Sequence, residues 1–89
     1  VILFRAAEGG VEVVATSGRY RALHPLREIE RRFPPPQFRR IHRAVLINTS
    51  HLRSITPLSS RRYLLRLTGG IEAVVSKRMA SVIREAAQW

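Results

Sequence analysis

Arginine is concentrated in the middle of this 89-residue chain. Between Glu30 and Glu72 there are nine arginines and no acidic residue. The segment includes Phe38–Asn48, in which three arginines lie among apolar residues that are typical of strands. An ordered surface with this much positive charge favours a polyanion as its partner, and the first candidate is the phosphate backbone of a nucleic acid.

Arginine supplies fifteen of the sixteen cationic side chains, and Lys77 is the one lysine. A guanidinium group is a planar fork that can bind a phosphate or a guanine with two hydrogen bonds. A GC-rich genome would also enrich arginine, so composition leaves both causes open. The formal net charge is +10, yet the apolar content of 45% is ordinary for a globular protein. The composition therefore indicates a folded, strongly basic domain.

Hydrolytic and metal-dependent chemistry is poorly supported by the composition. The chain has no aspartate, so a Ser-His-Asp triad cannot form and a glutamate would have to replace the acid. The three histidines lack metal-ligand spacing, and there is no cysteine to form a disulfide or a thiolate metal site. We therefore expect no enzymatic activity, no cofactor and no bound metal.

The elements that must position the arginines are mostly short strands. Turns at Ser17-Gly18 and Thr68-Gly69-Gly70 predict two antiparallel hairpins. The basic segment from Phe38 leads into Ala44–Ile47, an apolar run that is typical of a strand buried on both faces. The predicted strands are Val1–Phe4, Val11–Thr16, Arg19–Leu23, Ala44–Ile47, Leu52–Thr56, Tyr63–Leu67 and Ile71–Val75, and Pro57–Arg62 is predicted to be a loop.

Two short helices complete the prediction. The first begins near Pro25 and ends at Pro34-Pro35-Pro36, because proline cannot continue a helix. The second follows Ser76, which can cap it. The expected fold class is mainly β, with small antiparallel β-sheets and two short helices. The apolar residues at helical spacing are Leu26, Ile29 and Phe33 in the first helix, and Met79, Val82, Ile83 and Ala86 in the second.

Three segments resemble, in order, segments of LytTR-type DNA-binding domains of bacterial transcription regulators. The central one, Phe38–Asn48, is similar to the motif Phe-x-Arg-(Ile/Cys)-His-(Arg/Asn)-Ser-(Tyr/Phe)-(Ile/Leu)-Val-Asn. Phe4–Val11 resembles an early Phe-Ile-Glu-Ala-Glu-Gly-Asn-Tyr segment, and Val75–Arg78 resembles Val-Ser-Arg-Arg at the start of the last helix. Gly10-Val11 and Ala44-Val45 depart from the family pattern. The resemblance covers essentially the whole chain.

The resemblance implies a mostly β domain whose loops enter successive major grooves of duplex DNA. Carried over by position, the base contacts fall to Arg43 and Arg78, with an early loop at Gly10–Glu12 as a third region. For His42, a structural hydrogen-bonded role is an equal alternative to a phosphate contact. The predicted phosphate contacts are Arg40, His42, Arg61, Arg62 and Lys77.

A physical argument supports Arg78 independently of the resemblance. Lys77 and Arg78 fall in the first turn of the last helix, where a cation opposes the helix dipole at a cost of about 0.3–1 kcal/mol. A bound phosphate reverses that sign, because helix N-termini favour anions. The alternative is that an exposed, screened cation is simply tolerated.

The expected function is sequence-specific binding of double-stranded DNA, as the output domain of a bacterial response regulator. We expect one LytTR-like domain over residues 1–89, lacking its first strands and its upstream regulatory domain, because the chain starts inside a strand without methionine. Expected partners are duplex DNA, an upstream receiver or sensory domain, and a second copy in a homodimer on repeated half-sites. A cytoplasmic location is expected, and membrane anchoring of the full-length protein stays open.

Two other partners fit the same charge. An RNA-binding module of ribosomal type is the first alternative, although such platforms usually stack bases on exposed aromatic residues, and most aromatic residues here are predicted to lie in the core. The second is an anionic membrane or a protein-interaction surface. Competition between duplex DNA, single-stranded RNA and anionic vesicles separates the three.

Overall fold

The computed structural model describes residues 1–89 as eight strands and two α-helices. Short 3-10 turns lie at Thr49–His51 and Thr68–Gly70. The mainly β architecture with two helices confirms the predicted fold class. The elements are β1 (Leu3–Ala7), β2 (Gly10–Ala15), β3 (Gly18–Ala22), α1 (Leu26–Arg32), β4 (Phe38–His42), β5 (Val45–Asn48), β6 (Leu52–Pro57), β7 (Arg62–Leu67), β8 (Ile71–Ser76) and α2 (Lys77–Ala86).

The strands form two antiparallel sheets, one of five strands in the order β3-β2-β1-β5-β4 and one of three in the order β6-β7-β8. In the larger sheet β1 pairs with β5, so that Leu3 lies opposite Ile47 and Arg5 lies opposite Val45. The C-terminal end of β1 therefore lies beside the start of β5. As a result, the β1–β2 turn and the β4–β5 turn lie at the same end of the sheet.

The five-stranded sheet is covered on both faces. One buried cluster joins it to the three-stranded sheet and α2, and a second cluster joins it to α1. Strand β5 serves both clusters because successive side chains point to opposite faces: Val45 and Ile47 belong to the first cluster and Leu46 to the second. This confirms the prediction of a strand that is buried on both faces.

The segment Phe38–Asn48 forms a hairpin, and the prediction of a basic approach to a single strand was wrong. Residues Arg43 and Ala44 form the turn, so β5 starts one residue after the predicted Ala44. The register shifts between Arg40 and His42, which marks a bulge just before the turn. The sequence did not reveal this turn because Arg43-Ala44 contains none of the Gly, Pro, Asn or Asp residues that usually mark one.

Other element boundaries moved by one to three residues. Strand β1 runs from Leu3 to Ala7 instead of Val1–Phe4, although Ile2 is also buried. Arg62, predicted to end a loop, is the first residue of β7. Its carbonyl accepts hydrogen bonds from the Leu58 amide at 2.8 Å and from the Ser59 amide at 3.2 Å. The loop between β6 and β7 is therefore short and internally bonded.

Helix α1 begins directly after Pro25 and ends at Phe33, immediately before the three prolines. The ring of Phe33 packs against Phe4 and Phe38, with centroids 5.0 Å from each. Such tilted aromatic pairs contribute about 0.5–1.5 kcal/mol beyond the burial of their area. Helix α1 is thus fixed against β1 and β4. Neither helix is long and apolar enough to cross a membrane.

Candidate nucleic-acid interface

Arg43 is exposed at the tip of the β4–β5 turn. The turn is fixed by three hydrogen bonds around it. Arg40 Nη1 donates to the Arg43 carbonyl at 2.7 Å, and the Ala6 amide donates to the Ala44 carbonyl at 2.7 Å. The Ala44 amide donates to His42 Nδ1 at 3.1 Å. The backbone that carries Arg43 therefore has a defined position, while its side chain faces solvent.

His42 is exposed and still has one nitrogen free for a ligand. Because Nδ1 accepts the Ala44 amide, the proton of the neutral ring lies on Nε2, which makes no hydrogen bond within the protein. The two alternatives for His42 are thus compatible in geometry. One ring nitrogen stabilises the turn, and the other is available to donate to an acceptor outside the protein.

Arg40 is far less available than the other predicted contacts. Its Nη2 lies 3.0 Å from Glu30 Oε1 on α1, and its Nη1 is bonded to the Arg43 carbonyl. Its Nε is buried and has no partner, and only 27% of the side chain is exposed. Both terminal nitrogens of this guanidinium are therefore engaged inside the protein.

A second group of predicted contacts lies where β7 begins and β8 ends. Arg62 is paired in register with Ser76, and the Lys77 amide donates to the Arg61 carbonyl at 3.0 Å. Arg78 follows in the first turn of α2, which Ser76 caps through its hydroxyl as predicted. All four cations of this group are exposed, and none forms a salt bridge.

Two surface cavities show which ends of these elements meet away from the predicted contacts. The C-terminal end of α2 lines one cavity together with Gln37 and Thr49, which lie at the open end of the β4–β5 hairpin. Thr68-Gly69 between β7 and β8 shares another cavity with Thr16–Gly18 between β2 and β3. Each group of cations lies at the opposite end of its own hairpin or helix.

The resemblance implied a base-contact region at Gly10–Glu12, and the structure places these residues in a strand. These residues begin β2, and the turn is Glu8-Gly9. Glu12 forms ion pairs with Arg5 at 3.0 Å and with Arg19 at 3.2 Å. Since a strand residue with two cationic partners is poorly placed to approach DNA, the structure leaves Glu12 in a structural role.

Sequence reasoning missed two residues that fix the β1–β2 turn. Arg21 Nη1 donates to the Glu8 carbonyl at 2.8 Å. A Cβ atom at Gly10 would lie 2.3 Å from the Ala22 carbonyl oxygen, so only glycine permits this approach of β3 to β2. The Gly9-Gly10 pair was the available signal for the second contact, whereas nothing local signals a bond from Arg21 across thirteen positions.

Few of the predicted contacts are neutralised by a salt bridge. Four of the six carboxylates form salt bridges, and they are Glu12, Glu28, Glu30 and Glu72. Among the predicted contact residues, Arg40 alone has a carboxylate partner. Arg43, Arg61, Arg62, Lys77 and Arg78 therefore carry positive charge that no salt bridge neutralises.

His51 has a structural position, and no side chains are grouped to hold a metal ion. Its Nδ1 lies 2.9 Å from Thr68 Oγ1, which links the 3-10 turn after β5 to the end of β7. Burial, followed by the positive charges of the amino terminus and Arg53, lowers the pKa of His51. No group of three or more His, Cys, Asp or Glu side chains has an arrangement that could bind a metal.

Comparison with known proteins identifies the family. Residues 1–88 match the family described as the LytTr DNA-binding domain. The chain is 32% identical over 69 residues to the transcriptional regulatory protein LytR of Staphylococcus aureus strain N315, covering 78% of this chain and 28% of LytR. It is 27% identical over 85 residues to the sensory transduction protein LytT of Bacillus subtilis strain 168, covering 96% of this chain and 35% of LytT. The chain thus spans about a third of the length of these curated relatives.

A solved structure agrees with this similarity. The fold matches the LytTr DNA-binding domain of a methyl-accepting/DNA response regulator from Bacillus cereus with a TM-score of 0.82 and 27% sequence identity. The match covers 100% of this chain and 82% of the other. These relatives support the DNA-binding prediction and give no support to the RNA-binding alternative. The chain therefore belongs to the family described as the LytTr DNA-binding domain.

Proposed function

We propose that this domain is the sequence-specific output module of a longer cytoplasmic regulator, in which an upstream receiver or sensory domain controls binding. The matched region is 28% of LytR and 35% of LytT, which leaves most of each relative for other domains. We further propose that two copies bind repeated half-sites on duplex DNA, so that each domain reads one half-site.

The observation that carries the proposal is a set of exposed cations without carboxylate partners, which we propose face the DNA together. Arg43 projects from a turn whose backbone is fixed by hydrogen bonds, and Arg78 projects from the capped first turn of α2. A fixed guanidinium fork can meet guanine O6 and N7 with two hydrogen bonds. We therefore assign base reading to Arg43 and Arg78.

The remaining contacts are assigned to backbone phosphates. Arg61, Arg62 and Lys77 surround the start of α2 without any carboxylate partner, and His42 offers Nε2 beside Arg43. A phosphate near the first turn of α2 would offset the unfavourable placement of cations there. Phosphate contacts position the protein on the duplex and carry no sequence information.

A comparison of Arg43→Ala with Arg62→Ala tests the assignment. A cognate duplex is first obtained by in vitro selection, and affinities are then measured for it and for a scrambled duplex at two salt concentrations. Arg43→Ala should cost about 1–3 kcal/mol on the cognate duplex and little on the scrambled one. Arg62→Ala should weaken both by similar factors and reduce the salt slope by about one.

Each variant is the matched control for the other, because both remove one exposed, unpaired guanidinium. Equal losses on the two duplexes for Arg43→Ala would show that Arg43 is a phosphate contact. If Arg62→Ala lost affinity only for the cognate duplex, Arg62 would be assigned to base reading instead of phosphate binding. Failure of the wild-type protein to select any duplex would remove sequence-specific recognition altogether.

A further inference from the structure

We infer that Arg40 is a positioning residue that connects the base-reading turn to helix α1 through Glu30, and is not a phosphate contact. The inference rests on the proposed function, because it concerns how Arg43 acquires a defined direction. Arg40 thereby receives a role that differs from the phosphate contact expected from the sequence, and Glu30 receives a role that was not expected from the sequence.

The guanidinium group of Arg40 bonds to two different elements of the fold. Arg40 Nη1 donates to the Arg43 carbonyl at 2.7 Å, while Nη2 donates to Glu30 Oε1 at 3.0 Å. One planar group therefore bridges a turn carbonyl and a helix carboxylate. Because the two terminal nitrogens are held at a fixed separation, the turn carbonyl and the Glu30 carboxylate are held in a fixed relation.

The strand ladder restrains the two sides of this turn unequally. On the β5 side, the Ala6 amide of β1 donates to the Ala44 carbonyl at 2.7 Å. Strand β4 is an edge strand, so β5 is its one backbone neighbour, and the bulge between Arg40 and His42 interrupts their pairing just before the turn. The side-chain bonds of Arg40 and His42 therefore supply the restraint on the β4 side. Helix α1 is a suitable anchor because Phe33 at its end packs against the rings of Phe4 and Phe38.

The charge of Arg40 is already compensated within the protein. The positive charge of Arg40 is matched by Glu30, whose side chain is 41% exposed, so the pair adds no net attraction for a polyanion. Each of the two terminal nitrogens of Arg40 already donates one of its two N–H groups to an acceptor inside the protein, and only 27% of the side chain is exposed. A phosphate contact by Arg40 would require the Glu30 pair to break or would bring a carboxylate close to the DNA backbone.

Glu30→Ala separates positioning from electrostatics, because the two predict opposite signs. The substitution removes the acceptor of Arg40 Nη2 and raises the net charge by one unit from +10, so simple electrostatics predicts tighter binding to every duplex. Positioning predicts weaker binding to the selected cognate duplex, by roughly fivefold or more and by no more than Arg43→Ala causes, with no loss on scrambled DNA. The matched control is Glu72→Ala, which removes the partner of Arg66 in a salt bridge of 2.7 Å and has no bond to the turn.

Arg40→Lys tests the fork itself. Lysine keeps the charge, but its single nitrogen cannot reproduce the rigid two-point bridge. We expect the same loss of discrimination as in Glu30→Ala, with the salt slope unchanged. A phosphate contact would instead retain most of its cognate affinity in Arg40→Lys. Thermal denaturation of every variant confirms that the comparison is made between folded proteins.

The proposed base reading and the proposed positioning role are refuted by different results. If Arg43→Ala loses affinity equally on both duplexes, the proposed base reading is wrong. If Arg43→Ala is selective but Glu30→Ala behaves like Glu72→Ala and Arg40→Lys keeps its discrimination, the positioning role is wrong and base reading stands. In the Arg43→Ala background, Glu30→Ala should cause no further loss of discrimination, and an additive loss would also overturn the inference.

Discussion

The dependence of DNA binding on salt concentration is the most direct test of the exposed cations that have no carboxylate partner. The exposed cations without a carboxylate partner that we propose face the DNA are Arg43, Arg61, Arg62, Lys77 and Arg78. Each cation that neutralises a phosphate releases condensed counterions and contributes about −0.9 to the slope of log affinity against log salt. If all five release counterions, the slope is about −4.5, and a change from about 50 to 200 mM salt weakens binding roughly 500-fold.

The slope is smaller in magnitude if Arg43 and Arg78, which we propose read bases, release no counterions. Arg61, Arg62 and Lys77 alone give a slope of about −2.7, which corresponds to a loss of roughly 40-fold over the same range. Fluorescence anisotropy with a labelled duplex measures the slope directly. Arg84→Ala is the control, because Arg84 lies in the last turn of α2, at the opposite end from the cation group, and should leave the slope unchanged. A flat salt response would refute the electrostatic reasoning.

Two further predictions concern stability. Ile47 is fully buried in the cluster shared by the two sheets, so Ile47→Ala should cost about 2–5 kcal/mol; a urea midpoint equal to that of the wild type would contradict this core assignment. Burial is the first cause of the lowered pKa of His51, so the unfolded chain binds a proton at His51 more tightly than the folded protein does. The free energy of unfolding should therefore fall as the pH decreases from about 6.5 toward the lowered pKa of the folded state. Denaturation at pH 7.5, 6.5 and 5.5 should show a smaller acid-side loss for His51→Gln, and an identical loss in both proteins would rule out His51 as its source.

The sequence predicted the parts of the fold that depend on local patterns. The apolar run that became β5 and the hydroxyl cap at Ser76 required only the neighbouring residues, and both are present. Alternating apolar residues around glycine turns predicted the β2–β3 and β7–β8 hairpins. The resemblance to a known family added the positions of Arg43 and Arg78, which the structure places at the tip of one turn and at the start of a helix.

The features that escaped prediction depend on contacts between distant positions. Arg40 pairs with Glu30 across ten positions, so a charge that seems free in the sequence is partly neutralised in the fold. The β4–β5 turn is stabilised from outside, by Ala6 of β1 and by the side chains of Arg40 and His42, and not by the conformational preferences of its own residues. No local pattern encodes either arrangement.

Strand β5 has a consequence for how the domain gains and loses order. Leu46 and Ile47 are adjacent in the chain and face different buried clusters, so the same four-residue strand forms a wall of each. If either cluster unfolds, β5 loses the packing on one of its faces, and the strand that supports the other cluster becomes exposed to solvent. We therefore expect the two halves to unfold together, as one cooperative unit with two cores. The turn that carries Arg43 belongs to this unit, so the surface that we propose reads DNA should form only when both halves are folded.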